Sequence, residues 1–179
     1  MEDTMSKNAR VGNYWVNLVI GIIGMAIACY GNLLPYSETQ KTCYFVGALL
    51  LLISSILEKQ LFFIVLQIII TSGTGIAFAV WIPTFKATIP IILSLLAIVY
   101  FTKRGQLQDK TTILGIIAIA VLAAGYAVTK PFVYFLGAVL LMAYSFISFK
   151  QGIKIALLWA ILNAVFAITA ILNLLKYNF

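Results

Sequence analysis

Long runs of apolar residues, separated by short stretches that carry charges, Pro, Gly or Asn, dominate the pattern of this chain. A run of about 20 apolar residues is long enough to cross the ~30 Å hydrocarbon core of a bilayer as a helix. The breaks leave seven such runs, and each predicts a transmembrane helix. The predicted spans are residues 14–34, 43–57, 61–82, 87–102, 111–128, 131–149 and 153–175.

Composition supports a membrane protein. Of the 179 residues, 63% are hydrophobic and 9% are charged, whereas a soluble domain has about 45–50% apolar and ~25% charged residues. A water-soluble fold of this composition would expose large apolar patches and aggregate. We therefore predict an all-α integral membrane protein with seven transmembrane helices, whose main partner is the lipid bilayer.

The basic residues predict the orientation of the helices. The chain has 12 Lys and Arg against 5 Asp and Glu, but the cations stand singly in loops, which argues against a nucleic-acid partner. Eight of them fall on the side of the N-terminus and four on the other side. By the positive-inside rule, residues 1–13 form a cytoplasmic tail and the C-terminus lies outside. The expected location is a bacterial inner (plasma) membrane.

The first apolar run has a second interpretation. A charged N-terminal segment followed by an apolar run that ends Ala26-Ile27-Ala28-Cys29 is also typical of a lipoprotein signal peptide. We interpret the run as a membrane helix that is retained.

The inventory of reactive side chains argues against an enzyme. The chain has no His and only two Cys, which excludes most metal sites and catalytic triads, and no cofactor is predicted. All acidic residues lie outside the predicted spans, so a proton relay through the membrane is disfavoured. Cys29 and Cys43 lie near the outer face, where a disulfide is permitted, but free buried thiols are favoured.

An internal repeat organises the spans. Residues 44–51 (YFVGALLL) return 90 positions later as residues 134–141 (YFLGAVLL), and Lys59-Gln60 returns as Lys150-Gln151. The preceding helices agree, because small residues with the same spacing line one face of each and predict close helix packing. They are Gly21, Gly24, Ala28 and Gly31 in the first span, and Gly115, Ala118, Leu122 and Gly125 in the fifth. Leu122 is the one large residue in this pattern.

The repeat predicts a three-plus-one-plus-three organisation. Residues 14–82 form the first three-helix repeat, residues 83–110 a linker helix with its loops, and residues 111–179 the second repeat. Four crossings separate equivalent helices, so the two repeats are parallel and related by an axis along the membrane normal. A translocation path on that axis is the natural expectation.

This arrangement of residues 14–175 resembles the SWEET sugar facilitators, the PQ-loop proteins and the nicotinamide-riboside transporters. The segment Ser54 to Gln67, with its Lys59-Gln60 turn, is similar to small bacterial inner-membrane proteins. The resemblance implies a small carrier. It does not extend to the proline hinge of SWEET repeats, because Pro35 and Pro131 lie beyond the first and fifth spans.

Neutral polar residues inside the spans are the candidate binding residues. Gln67 and Thr71 share one face of the third span, and Trp159 and Asn163 share one face of the seventh. The two carboxamides offer donors and acceptors, and the indole offers a flat surface, to a neutral sugar, nucleoside or vitamin. The alternative is that Gln67 and Asn163 form hydrogen bonds to neighbouring helices.

The remaining polar and aromatic residues have structural interpretations. Residues near span ends are expected in the interfacial aromatic belt, and the serines of the second and sixth spans are expected to bond back to their own helices. Tyr30, Asn32 and Tyr126 form either a gate or a section of the belt, and the belt is favoured. The other predicted belt residues are Trp15, Tyr44, Trp81, Tyr100 and Tyr134.

The sequence thus predicts a carrier that moves a small neutral polar solute by alternating access between two three-helix bundles. The alternative is a non-transporting partner subunit or assembly factor that uses the Gly21–Gly31 face. The sequence leaves open whether copies associate as a homo-oligomer.

Overall fold

The computed structural model describes residues 2–59, 61–79, 82–105, 110–152 and 155–177, which form an all-helical bundle. Seven helices follow one another within these ranges. They are α1 (Glu2–Leu33), α2 (Glu38–Glu58), α3 (Leu61–Ile76), α4 (Pro83–Lys103), α5 (Lys110–Val128), α6 (Pro131–Lys150) and α7 (Ile155–Tyr177).

Six of the described helices are long and apolar enough to cross a membrane, and α3 is the shorter exception. The prediction of an all-α fold of the membrane type is confirmed at this level. The predicted length of the third span, residues 61–82, is wrong, since α3 has 16 residues and rises only about 24 Å. It ends just after Gly73 and Gly75, which have low helix propensity.

Local sequence signals explain several helix ends. The Ser37 hydroxyl accepts a hydrogen bond from the Gln40 N–H at 3.2 Å and starts α2 before the predicted position 43. Pro83 and Pro131 open α4 and α6, where a missing N–H costs nothing. A third proline, Pro90, lies inside α4. α1 begins at Glu2, so the predicted cytoplasmic tail is helical along most of its length.

Glycines bring α2 against α1. A Cβ on Gly24 would lie 2.9 Å from the Gly47 carbonyl oxygen, and one on Gly47 would lie 2.7 Å from the Gly24 carbonyl oxygen. Further along, Gly31 faces Tyr44. In these contacting pairs the residue numbers of α1 increase as those of α2 decrease, so the two helices are antiparallel.

The pair α5 and α6 is built in the same way. Gly115 faces Tyr144, Gly125 faces the Tyr134 backbone, and Gly137 faces the Leu122 backbone. Leu122, which departs from the small-residue pattern of α5, is therefore accommodated by a glycine on α6.

Six helices form a closed ring. Each helix in the series α1, α2, α3, α5, α6 and α7 contacts the next one, and α7 contacts α1. α4 lies outside the ring and packs on α3 and α5. Its outer face is apolar, with Leu95, Leu96 and Val99 each more than half exposed, as expected of a lipid-facing helix.

Candidate functional site

The ring encloses a central cavity that receives side chains from all six of its helices. The space open to the centre of a water molecule is about 60 Å³, enough for a few waters. The lining residues are Met25, Ala28, Tyr44, Ala48, Leu51, Phe63, Leu66, Gln67, Ile70, Ile119, Leu122, Tyr126, Leu141, Tyr144, Trp159, Asn163 and Phe166. None of them is charged, so the cavity is suited to neutral molecules.

Gln67 is the most informative residue of the cavity. Its side chain is 8% exposed, and no donor among the described residues reaches its carbonyl oxygen Oε1. A buried acceptor without a donor costs about 1–3 kcal/mol, and native structures contain few of them. Because Gln67 lines the central cavity, a donor on a bound molecule would recover this cost.

Asn163 and Trp159 contribute to the same cavity from α7. Asn163 is 7% exposed, and its Nδ2 donates to the Trp159 carbonyl oxygen one turn earlier at 2.8 Å. The Trp159 ring stacks on Phe63 of α3, with 6.3 Å between ring centroids and 22° between planes. The structure therefore brings three of the four sequence-predicted binding residues, Gln67, Asn163 and Trp159, to one space.

Thr71, the fourth predicted binding residue, does not line this cavity. Its hydroxyl points to α2 and donates to the Ala48 carbonyl oxygen at 3.5 Å. Thr74, the next threonine of α3, donates back to the Ile70 carbonyl oxygen at 3.2 Å. Gln67 and Thr71 lie on neighbouring turns of α3, as their i, i+4 spacing predicts. Thr71, however, faces α2, whereas Gln67 faces the central cavity.

A tyrosine cluster, formed by Tyr44, Tyr126 and Tyr134, closes one end of the cavity. The Tyr126 and Tyr134 rings stack with centroids 5.5 Å apart, and the Tyr44 ring lies 4.7 Å from Tyr126. All three side chains are at most 4% exposed. The interfacial belt predicted for these residues is therefore wrong, because they point into the ring.

Asn32 ties this cluster to α7. Its Oδ1 accepts from the Tyr44 hydroxyl at 2.7 Å, and its Nδ2 donates to Thr169 Oγ1 at 2.9 Å and the Phe166 carbonyl oxygen at 3.2 Å. The Tyr44 hydroxyl oxygen also lies 3.2 Å from that of Tyr134. Asn32 is fully buried, so it too is outside the belt predicted for it.

The other predicted belt residues face outward or lie outside the described residues. Trp15, Tyr30 and Tyr100 are 59%, 58% and 38% exposed, as the belt requires. Trp81 lies outside the described residues.

The remaining candidates have structural roles. Cys29 and Cys43 are free thiols. Ser55 donates back to the Leu51 carbonyl oxygen at 2.9 Å, as expected. Ser54 instead donates to the Asn17 carbonyl oxygen of α1 at 2.8 Å.

A second aromatic cluster lies at the opposite end of the cavity. Phe63 lies in the first turn of α3, and Trp159 is the fifth residue of α7. Phe62 lies beside Tyr144, with ring centroids 6.2 Å apart. Along α7, Trp159 and Phe166 are separated by roughly 10 Å at 1.5 Å per residue. Asn163 lies between them, so the polar region of the cavity is bounded by aromatic rings on both sides.

The chain matches no known protein family, no characterised protein and no solved structure at a significant level.

Proposed function

We propose that this protein is a membrane carrier that moves a small neutral polar solute, such as a sugar, nucleoside or vitamin. The solute binds in the central cavity at Gln67, Trp159 and Asn163. The observation that carries this proposal is the buried Gln67 carbonyl oxygen without a donor, in a cavity lined by six helices. A merely structural Gln would be expected to bond a neighbouring helix.

Packing within the ring supports two equivalent three-helix units, residues 14–82 and 111–179. Replacing α1, α2 and α3 by α5, α6 and α7 converts each contacting pair of ring helices into another contacting pair. The glycine contacts follow the same relation, since Gly47 faces Ala28 and Gly137 faces Leu122. In this proposal α4 is the linker that keeps the two units parallel.

The position of the cavity between two aromatic clusters supports alternating access. One cluster lies beside Phe166 and the other includes Trp159. Rocking of the two three-helix units against each other would open the aromatic clusters in turn and expose the cavity to each side of the membrane alternately. The basic-residue pattern places the N-terminus of this carrier in the cytoplasm, in a bacterial inner membrane.

The alternative function, a partner subunit or assembly factor without transport, has less support. It relies on the small-residue face of α1 as a docking surface. Gly24 and Gly31 of that face already pack against α2, so a partner would need another surface.

Uptake into proteoliposomes tests the proposal. Purified protein is reconstituted, and the entry of labelled ribose, uridine and nicotinamide is compared with that into empty vesicles. We expect saturable uptake of at least one of them, lost in the double variant Gln67→Ala/Asn163→Ala. Ser72→Ala is the matched control, because its hydroxyl donates only back to Ile69 at 2.7 Å. Uptake that survives the double variant would overturn the proposed site.

A further inference from the structure

A lateral groove between α1 and α7 opens toward the bilayer. α1 contributes Ile22, Tyr30 and Leu33, and α7 contributes Leu162 and Val165. It is an open groove with a volume of about 370 Å³. Tyr30, Val165 and Leu33 are 58%, 44% and 46% exposed, so the groove lies on the apolar outer surface.

Among the described residues, the lateral groove and the central cavity share one lining residue. Met25 lines both, and it is itself 7% exposed. Methionine is unbranched, with three rotatable bonds, and adapts its shape at low cost. A change in the Met25 rotamer is therefore the smallest movement that we expect to connect the two spaces.

Two contacts of α1 with α7 lie on either side of Met25 along α1. At one end Gly21 approaches Trp159, where an added Cβ would lie 3.7 Å from the ring. At the other end Asn32 donates to the Phe166 carbonyl oxygen and to Thr169. These contacts hold α1 against α7 on both sides of Met25.

The chemistry of the central cavity matches a molecule that arrives from lipid. Much of its wall is aliphatic, including Leu51, Leu66, Ile70 and Leu141. A hydroxyl-rich solute would leave several groups without partners against this wall. A flat, mostly apolar molecule with one N–H or O–H would fill it, donate to Gln67 Oε1 and stack near Trp159.

We infer that the solute is a flat, neutral, largely apolar molecule with a hydrogen-bond donor, and that it enters from the bilayer through the lateral groove past Met25. This inference rests on the proposed carrier function and narrows its substrate class from sugars, nucleosides and vitamins to flat heterocyclic molecules, which excludes the hydroxyl-rich sugars. Gln67 supplies the acceptor that selects for the donor. The lateral groove supplies a route for a molecule that concentrates in lipid.

A pair of probes tests the substrate class. 5-Fluoroindole has an N–H where 5-fluorobenzofuran has a ring oxygen, and the two have nearly the same shape. Binding to the protein in lipid nanodiscs is followed by ¹⁹F NMR. We expect the indole to bind about tenfold or more tightly than the benzofuran, because only it satisfies Gln67. Equal binding of the two probes would overturn the inference, and this result needs no variant.

A variant of Gln67 sharpens the result. Gln67→Met keeps an unbranched side chain and removes the acceptor, so the preference for the indole should disappear. A preference that persists in a folded Gln67→Met protein would overturn the assignment to Gln67.

The route is tested by filling the lateral groove. Val165 lines the lateral groove but not the central cavity, so Val165→Phe narrows the groove alone. We expect about fivefold slower binding and release of 5-fluoroindole, with an unchanged affinity. Ile168→Phe is the matched control, since Ile168 is 58% exposed on the same helix and does not line the groove. Equal exchange rates in the native protein and Val165→Phe would overturn the lateral route.

Failure of this inference is distinguishable from failure of the carrier proposal. In one outcome, neither probe binds, but ribose or uridine raises the melting temperature of the native protein and does not raise that of Gln67→Ala/Asn163→Ala. The inference is then wrong, and the proposed carrier site stands. If no compound of either class binds, both are wrong.

Discussion

The α3–α5 and α1–α7 contacts hold equivalent positions in the proposed repeat, yet they are built differently. Between α3 and α5, Gly73 lies directly on the Ala123 backbone, and α4 packs over both helices. Between α1 and α7, hydrogen bonds from Asn32 hold one end, and an uncovered groove lies beside Met25. One contact is thus sealed by backbone packing and a cover helix, and the other is open to lipid.

This difference suits the α3–α5 contact to a structural role and the α1–α7 contact to the proposed entry of solute. A contact without a cover helix can open with small side-chain movements, whereas a contact of backbone on backbone cannot widen without displacing whole helices. We therefore expect the ring to be more flexible on the α1–α7 side than on the α3–α5 side.

The largest effect is expected at the sealed contact. Gly73→Leu places a side chain where the Ala123 backbone already lies, so α3 and α5 must separate. We expect a loss of about 3 kcal/mol in the free energy of unfolding, measured by thermal unfolding in detergent. A stable Gly73→Leu protein would show that this contact is looser than described.

A smaller effect is expected from the polar end of the α1–α7 contact. Asn32→Ala removes the acceptor of the Tyr44 hydroxyl and two donated bonds to α7. Losing three buried hydrogen bonds should cost about 2 kcal/mol, visible as a lower melting temperature. An unchanged melting temperature would mean that the apolar contacts alone hold α1 to α7.

Tyr44→Phe removes one hydroxyl and keeps the ring. The stacking within the tyrosine cluster remains, while Asn32 Oδ1 loses its donor. We expect a cost of about 1 kcal/mol in the same unfolding measurement. A cost above that of Asn32→Ala would contradict the assignment of Asn32 as the centre of this network.

The smallest effect is expected in the lateral groove. Ala26 is exposed and lines the groove, so Ala26→Leu should change the free energy of unfolding by no more than about 0.5 kcal/mol. Compared with Gly73→Leu, this substitution measures the asymmetry directly. Similar losses for the two would remove the distinction between the contacts.

The membrane helices could be predicted from hydropathy because their main requirement is a long apolar segment. The end of α3 could not be predicted in this way. Hydropathy remains high through Ala77, Phe78 and Ala79. The helix nevertheless ends at Ile76, because the backbone turns there and the Phe78 N–H donates to the Gly75 carbonyl oxygen at 3.2 Å.

The candidate site was only partially predictable. Neutral polar residues are rare in apolar helices, so Gln67 and Asn163 stand out, and the repeat predicts that they face one axis. Tyr44 and Tyr134 were misplaced because a Tyr near a span end fits either the lipid interface or the bundle interior. Gly47 and Gly137, three residues later on the same faces, were the available signal, since a glycine face packs against a helix.

The lateral groove could not be predicted from the sequence. It arises between α1 and α7, which are far apart in the chain, and its residues are as apolar as any lipid-facing surface. Only the order of helices around the ring shows that Met25 lies between lipid and the central cavity.

The most direct test of the central claim is ligand-dependent thermal stabilisation of the detergent-purified protein. Ligand at a hundredfold excess over Kd stabilises the native state by about 2.7 kcal/mol. A panel of neutral sugars, nucleosides, vitamins and small heterocycles is compared on the native protein and on Gln67→Ala/Asn163→Ala. The account predicts a saturable rise in melting temperature that the double variant loses. A rise of equal size in both proteins, or none with any compound, would contradict a binding site at Gln67 and Asn163.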